Sequence, residues 1–246
     1  MNAHVPVTEK AAQKAAQKAA EVSHEAALAV HEAMNAAKPR LRGWLHAATS
    51  PLAVAAGIVL ICLSPTVATK VGSSLFAGTA ILLFTVSGIY HRGTWSPKWW
   101  AILRRFDHAN IFLLIAGSYT PFVLILLHGG ARIGMLSMVW TGAVLGVAFR
   151  IFWTDAPRWL YTPLYVLLGW AAIFYADDFA DGGGTAVITL IVVGGSLYTL
   201  GGLVYGLKKP DPFPKWFGFH EIFHVFTIAA FICHYVAASI ATYKLR

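Results

Sequence analysis

The stretch GFHEIFHVF, residues 218–226, places two histidines, His220 and His224, inside an apolar run. Residues four apart lie on one face of an α-helix, so both imidazole rings can reach the same metal ion. The letters also match H-E-x-x-H, in which two histidines bind zinc and the glutamate is the general base of a metalloprotease. The stretch therefore predicts a metal site, with Glu221 as one candidate base.

A third imidazole comes from FTVSGIYHRG, residues 84–93, which carries Ser87 and His91 four apart and therefore on one helical face. Two histidines from one helix and one from another provide three neutral nitrogen ligands. Three protein ligands with a fourth position open to water are the arrangement of catalytic zinc sites. We therefore predict Zn²⁺ bound by His91, His220 and His224, although imidazoles also suit iron, nickel and copper.

Asp107, in RRFDHANIF, residues 104–112, is the predicted acid–base residue. Zinc lowers the pKa of a bound water to around 7, and Asp107 is placed to hold that water or to take its proton as a general base. Ser87 is the candidate donor of a hydrogen bond to the water or to a developing oxyanion. His108 points about 100° away from Asp107 around a helix and is left outside the predicted site.

The elements that must position these residues are membrane helices. The chain has 246 residues, of which 57% are hydrophobic and only 12% charged, and its mean hydropathy is +0.62. Soluble domains carry about 25% charged residues. The apolar blocks can each cross a hydrocarbon core of ~30 Å as a helix, and they lack the alternation of barrel strands. We predict an all-α, polytopic bundle with spans at 44–64, 71–91, 107–127, 132–152, 159–176, 185–207 and 218–241.

The basic residues predict how the bundle is oriented. If the N-terminus is cytoplasmic, 15 of the 19 Lys and Arg residues fall on the cytoplasmic side, and the four exceptions are Lys70, Arg132, Lys244 and Arg246. Lys and Arg concentrate in cytoplasmic loops, so we predict the N-terminus inside and the C-terminus outside. The net charge of +8 then reflects topology, and no nucleic-acid partner is expected. The same topology brings the three polar clusters to one depth at the cytoplasmic end.

Three features lie apart from the predicted site. Residues 1–41 repeat alanine and lysine, as in EKAAQKAAQKAA, and are predicted to form a helical or disordered cytoplasmic tail before a membrane domain at 42–246 that holds the zinc site. His234 lies on the same helical stripe as His220 and either lines a cavity below the site or pairs with a neighbour. Cys62 and Cys233 lie in apolar spans and are predicted to be small buried side chains.

The motifs SGIYH, the aspartate of RRFDHANIFLLIAGSYTPF and HEIFH, in this order in a seven-helix chain, resemble the haemolysin III family. This family is the bacterial branch of the progestin and adipoQ receptor (PAQR) proteins, and the likeness covers roughly residues 42–242. It implies a cytoplasm-facing zinc on His91, His220 and His224, with Ser87 and Asp107 beside the metal-bound water. Eukaryotic relatives are similar to hydrolases of ceramide-type lipid amides, and bacterial members are linked to haemolysis and membrane homeostasis.

Three functional hypotheses follow from these observations. The first is a zinc hydrolase of lipid amides in the inner (plasma) membrane, with membrane lipids as its partners and substrate. The second is an intramembrane zinc metalloprotease with Glu221 as base and Asp107 as the third ligand. The third is a non-enzymatic membrane sensor or cytolytic protein in which zinc is structural. A channel receives little support, because the polar residues lie at the inner end apart from His234.

Overall fold

The computed structural model describes residues 7–36 and 39–246, and within the first range it describes the side chains of residues 11–23, 25 and 26. The chain divides into two compact units between residues 38 and 39. The first unit contains helix α1 (Val7–Ala36), and all of its described side chains are exposed. Alanine and lysine favour a helix, and this helix has few large apolar side chains to bury.

The second unit is the helical bundle that carries the predicted site. Seven helical segments in the described residues are long and apolar enough to cross a membrane, as predicted. The fifth of them, Arg158–Gly183, is interrupted. The helices are α2 (Trp44–Cys62), α3 (Val67–Arg92), α4 (Pro97–Leu126), α5 (Gly129–Phe152), α6 (Arg158–Gly169), α7 (Ala176–Gly183), α8 (Thr185–Leu207) and α9 (Phe219–Tyr243).

Several helices begin earlier than the apolar pattern predicts. The largest difference is in α4, which starts at Pro97 instead of residue 107. Proline is favoured in the first turn of a helix because its missing N–H is not needed there. The charged residues Lys98, Arg104 and Arg105 continue the helix beyond the apolar block. Asp107 therefore lies about three turns into α4 rather than at its start.

The fifth crossing, predicted as one helix over residues 159–176, is broken. Helix α6 ends at Gly169, a 3₁₀ segment spans Ala171–Tyr175, and α7 follows. The Tyr119 hydroxyl donates to the Gly169 carbonyl and accepts the Ala172 N–H at 3.1 Å. Such bonds matter at a helix break inside a membrane protein, because water is scarce there.

Helix packing brings α9 beside the first half of the bundle. Successive helices pack on each other, α2 on α3, α3 on α4 and α8 on α9, and α9 also contacts α2, α3 and α4. Small residues permit close approach, and a Cβ added at Gly72 would lie 2.7 Å from the Cα of Pro121. This arrangement places the start of α9 next to the end of α3.

The outer surface of the bundle is apolar. Leu52, Leu145 and Leu167 are each 65% or more exposed, as expected for side chains that face lipid. The prediction that both cysteines are buried is wrong for Cys62, which is exposed on this surface, and Cys233 is half-buried. An apolar run alone does not distinguish a core-facing position from a lipid-facing one.

Candidate metal centre

Three predicted ligands meet at one end of the bundle. His91 occupies the last turn of α3, and His220 and His224 occupy the first two turns of α9. One ligand atom from each ring lies within 4.8 Å of the others, and all three residues are buried. The Nε2 atoms of His91 and His220 are 3.2 Å apart. The cluster could therefore bind a metal ion.

The spacing of the nitrogens fits a divalent cation. Two nitrogens bound to one tetrahedral zinc at 2.0–2.1 Å would lie about 3.3 Å apart, close to the observed separation. The Nδ1 atom of His224 is buried and has no hydrogen-bond partner among the described residues. Buried polar atoms are normally paired, and a metal ion held by the three histidines would satisfy one nitrogen of each ring.

Asp107, the predicted acid–base residue, and Ser87, the predicted hydrogen-bond donor, lie beside the cluster. The Oδ2 atom of Asp107, from α4, lies 3.5 Å from Nε2 of His91. Ser87 is one turn before His91 on α3 and is 2% exposed. Both Ser87 and Asp107 line the same cavity as His220 and His224. Their side chains can therefore reach a molecule bound in front of the histidines.

The carboxylate of Glu221 is bound by groups outside the three-histidine cluster. Its side chain is fully buried, and one carboxylate oxygen pairs with Nε of Arg42. The other oxygen accepts the backbone N–H of Gly218 at 2.8 Å, and so caps the start of α9. The carboxylate therefore holds the N-terminus of α9 in place, and Glu221 is not among the residues that line the cavity beside the histidines.

His46, on α2, is a site residue that the sequence did not reveal. Its ring is stacked on that of His224 with centroids 3.7 Å apart and planes 9° from parallel. It is 2% exposed, and neither ring nitrogen has a hydrogen-bond partner in the described part of the chain. It lacks a histidine four residues away, which is the signal that marks His220 and His224. Its position shortly after Arg42, near the same end of the bundle, is the clue that the sequence does contain.

Residues 42–46, which we call the bracing segment, contact the centre at three points. Arg42 pairs with Glu221, and His46 stacks on His224. Between them, Gly43 has a φ of 78° and approaches His91 so closely that an added Cβ would lie 2.7 Å from the Cβ of His91. Glycine suits this position because a side chain is disfavoured at positive φ and would also collide with His91.

His108 lies outside the three-histidine cluster but lines the same cavity. Its Nδ1 is 2.7 Å from the Arg104 carbonyl, and its Nε2 is 3.3 Å from the Tyr205 hydroxyl. Both ring nitrogens are therefore occupied, which leaves this histidine as part of the cavity wall.

The cavity extends from the cluster into the bundle. It holds about 1060 Å³ of empty space, counting its mouth, and apolar side chains such as Ile111, Ile115 and Phe223 form much of its lining. A second cavity of about 710 Å³ shares Tyr119, Trp170 and His234 with the first. Both linings are mostly apolar, and the first cavity has polar groups at the metal end, which suits a molecule with one polar end and a hydrocarbon chain.

Comparison with known proteins shows the family to which the chain belongs. A family model described as "Haemolysin-III related" matches residues 34–235. The chain belongs to the haemolysin III family. The hemolysin-3 homolog of Bacillus subtilis (strain 168) is 34% identical over 167 residues, which cover 66% of this chain and 75% of that protein. Hemolysin-3 of Bacillus cereus is 30% identical over 186 residues, 74% of this chain and 82% of that protein.

The chain is also similar to a protein of the receptor branch. The adiponectin receptor protein of Drosophila melanogaster is 26% identical over 189 residues, which are 70% of this chain and 43% of that receptor. The resemblance predicted from the three motifs is therefore confirmed. A haemolysin III protein is a multi-pass membrane protein, in agreement with the seven candidate spans.

Proposed function

We propose that this haemolysin III protein is a zinc-dependent hydrolase of lipid amides of the ceramide type, acting in membrane homeostasis at the inner (plasma) membrane. The observation that carries the proposal is the position of Asp107, 3.5 Å from a ring of the three-histidine cluster, at the polar end of a long apolar cavity. Membrane lipids are the partners and substrates in this proposal, and the predicted topology opens the site toward the cytoplasmic leaflet.

Each residue of the site has a separate role in the proposed hydrolysis. His91, His220 and His224 would hold the zinc, which when bound supplies Lewis acidity and a water of lowered pKa. Asp107 accepts a proton from the attacking water and returns it to the amide nitrogen as the C–N bond breaks. Ser87 donates a hydrogen bond to the carbonyl oxygen as negative charge develops on it. The products are a fatty acid, which carries the oxygen of the water, and a free amine.

The apolar part of the cavity contributes binding and orientation. Hydrocarbon removed from water contributes roughly 0.8 kcal/mol for each buried CH₂ group. An acyl chain inserted between Ile111 and Phe223 would leave its carbonyl group beside Asp107 and Ser87. Holding the reacting groups in this way converts an encounter between free molecules into a reaction within one complex.

The proposal is tested by incubating the purified, zinc-loaded protein with a panel of N-acyl lipids in mixed micelles and measuring released fatty acid. We expect turnover of at least one ceramide-type amide, and loss of that turnover in His91→Ala. Release by the His91→Ala protein at the rate of the unaltered chain would show that the activity comes from elsewhere. No release from any member of the panel would remove the hydrolase proposal.

A second candidate function is favoured by the way the site joins separate helices. A metal on His91 and the two α9 histidines would tie α3 to α9, and stacking of His46 on His224 adds α2. In this candidate the protein is a non-enzymatic membrane sensor or cytolytic protein with a structural zinc. A membrane-order phenotype that persists in an Asp107→Asn strain would support it. The metalloprotease hypothesis is disfavoured because Arg42 and the Gly218 N–H occupy the carboxylate of Glu221.

A further inference from the structure

The far end of the cavity carries two polar atoms that the proposed hydrolysis does not use. The hydroxyl of Tyr198, on α8, and Nδ1 of His234, on α9, are buried and have no hydrogen-bond partner within residues 7–36 and 39–246. Both residues line the cavity, and their rings lie 5.6 Å apart at an angle of 65°. Because buried polar atoms are normally paired, this pair points to a ligand group that completes them.

The two atoms differ in what they offer. The Nε2 atom of His234 lies 3.3 Å from the carbonyl oxygen of Ile191. A carbonyl can only accept, so Nε2 carries the proton in the neutral ring and Nδ1 is left as an acceptor. The Tyr198 hydroxyl has a proton to donate. An acceptor and a donor on rings whose centroids are 5.6 Å apart are matched by an alcohol, which donates to His234 and accepts from Tyr198, whereas a methylene group matches neither.

Polar groups that line the middle of the cavity already have hydrogen-bond partners. The Ser118 hydroxyl donates to the Ile115 carbonyl at 2.8 Å, and the Thr227 hydroxyl donates to the Phe223 carbonyl at 3.0 Å. Trp170 Nε1–H donates to Thr199 at 2.8 Å. These lining groups are already satisfied, so they present their apolar parts to the cavity. Polar recognition is therefore concentrated at the two ends.

The separation of the ends sets the length of the ligand. His234 follows His224 by ten residues on α9, which corresponds to a helix rise of about 15 Å. An extended hydrocarbon chain advances ~1.3 Å for each C–C bond of about 1.5 Å. Roughly a dozen carbons therefore connect a carbonyl at the histidine cluster with a group beside Tyr198 and His234.

We infer that the cavity selects acyl chains that carry a hydroxyl group about a dozen carbons from the carbonyl carbon, and that Tyr198 and His234 bind this hydroxyl. The inference deepens the proposed function, on which it rests for the position of the acyl carbonyl. It assigns the preferred substrate class as amides of mid-chain hydroxylated fatty acids.

The test measures binding and does not require turnover. Stearate, 12-hydroxystearate and 2-hydroxystearate compete with radiolabelled stearate for the purified, zinc-loaded protein in detergent. We expect 12-hydroxystearate to bind about tenfold more tightly than stearate, because two buried hydrogen bonds are gained. We expect Tyr198→Phe to leave the affinity for 2-hydroxystearate unchanged, because the hydroxyl of this acid lies at the carboxylate end of the chain.

Two variants identify the residues responsible. In Tyr198→Phe and in His234→Phe the preference for 12-hydroxystearate over stearate should fall to about one. Tyr243→Phe, which alters a tyrosine outside the cavity lining, should keep it. If His234→Phe does not fold, Tyr198→Phe decides alone, since it removes a single oxygen atom.

Equal binding of stearate and 12-hydroxystearate, or a preference that survives Tyr198→Phe, would overturn the inference and would assign the pair to a buried water. The two proposals fail separately. A tenfold preference in a protein that hydrolyses no amide would contradict the hydrolase proposal alone. Amide hydrolysis with no preference for the 12-hydroxy chain would contradict the hydroxyl subsite alone.

Discussion

The Nε2 atoms of His91 and His220 lie 3.2 Å apart although the residues are 129 positions apart in the sequence. The last turn of α3 must meet the first turn of α9 for this contact to form, and the bracing segment reaches both. Two ring nitrogens can share one proton, but His224 brings a third nitrogen to the same space. A divalent cation would satisfy all three nitrogens, so the cluster could bind a metal ion.

The first prediction concerns metal content. We expect the purified protein to contain about one zinc per chain, and the His91→Ala and His224→Ala variants to contain little, since each loses one of three ligands. Elemental analysis of the folded proteins measures this. His128→Ala is the matched control, because His128 is exposed and precedes α5 outside the cluster. Full metal content in a His220→Ala/His224→Ala double variant would place the ion elsewhere.

The second prediction separates the roles of Asp107 and Glu221 in amide hydrolysis. Asp107→Asn removes the proposed general base and should lower kcat by about 10²–10⁴, with zinc content unchanged. Glu221→Gln should keep most of the activity in whatever fraction remains folded, because this carboxylate is held by Arg42. The measurement is kcat per bound zinc. The reverse ranking of the two variants would favour the metalloprotease hypothesis.

The third prediction concerns the contribution of the Arg42–Glu221 ion pair to stability. Glu221→Gln keeps an acceptor for the Gly218 N–H but loses the charge that faces Arg42. A hydrogen bond to a charged group contributes about 1.5–3 kcal/mol, so we expect Glu221→Gln to lower the free energy of unfolding by about 2 kcal/mol. Thermal unfolding in detergent measures it.

A double-mutant cycle checks that this loss comes from the pair. Arg42→Met and Glu221→Gln, made together, should cost less than the sum of the two single changes, because each single variant leaves the other partner buried and unpaired. Strictly additive losses would indicate that the two side chains contribute independently.

The crossing helices and the three clustered histidines could be predicted from the sequence because each has a local signal. Long apolar blocks mark the spans, and the spacing of four between His220 and His224 marks one helical face. The predicted topology places the end of the second span and the start of the seventh on the same side of the membrane. It therefore groups His91 with His220 and His224. The start of α4 was missed because Arg104 and Arg105 extend the helix beyond its apolar part.

The rest of the site depends on tertiary contacts with no local signal. Nothing in the spacing of His46 indicates that its ring stacks on His224. A glutamate three residues after Gly218 has the spacing of a capping interaction, but the ion pair between Glu221 and Arg42 has no local signal in the sequence. The break between α6 and α7 was also missed, because Ala171–Tyr175 is as apolar as the helix that precedes it.

The fourth prediction concerns Gly43, which shapes the centre without supplying a ligand. Its φ of 78° is unfavourable for a residue with a side chain, and an added Cβ would lie 2.7 Å from the Cβ of His91. Gly43→Ala should therefore displace His91 from the other two rings and weaken zinc binding by about tenfold or more, because ligand geometry determines affinity. Competition with a zinc chelator measures the change. Gly78→Ala is the matched control, since a Cβ at that glycine meets no atom within 4 Å, and unchanged affinity in Gly43→Ala would show that the bracing segment does not position His91.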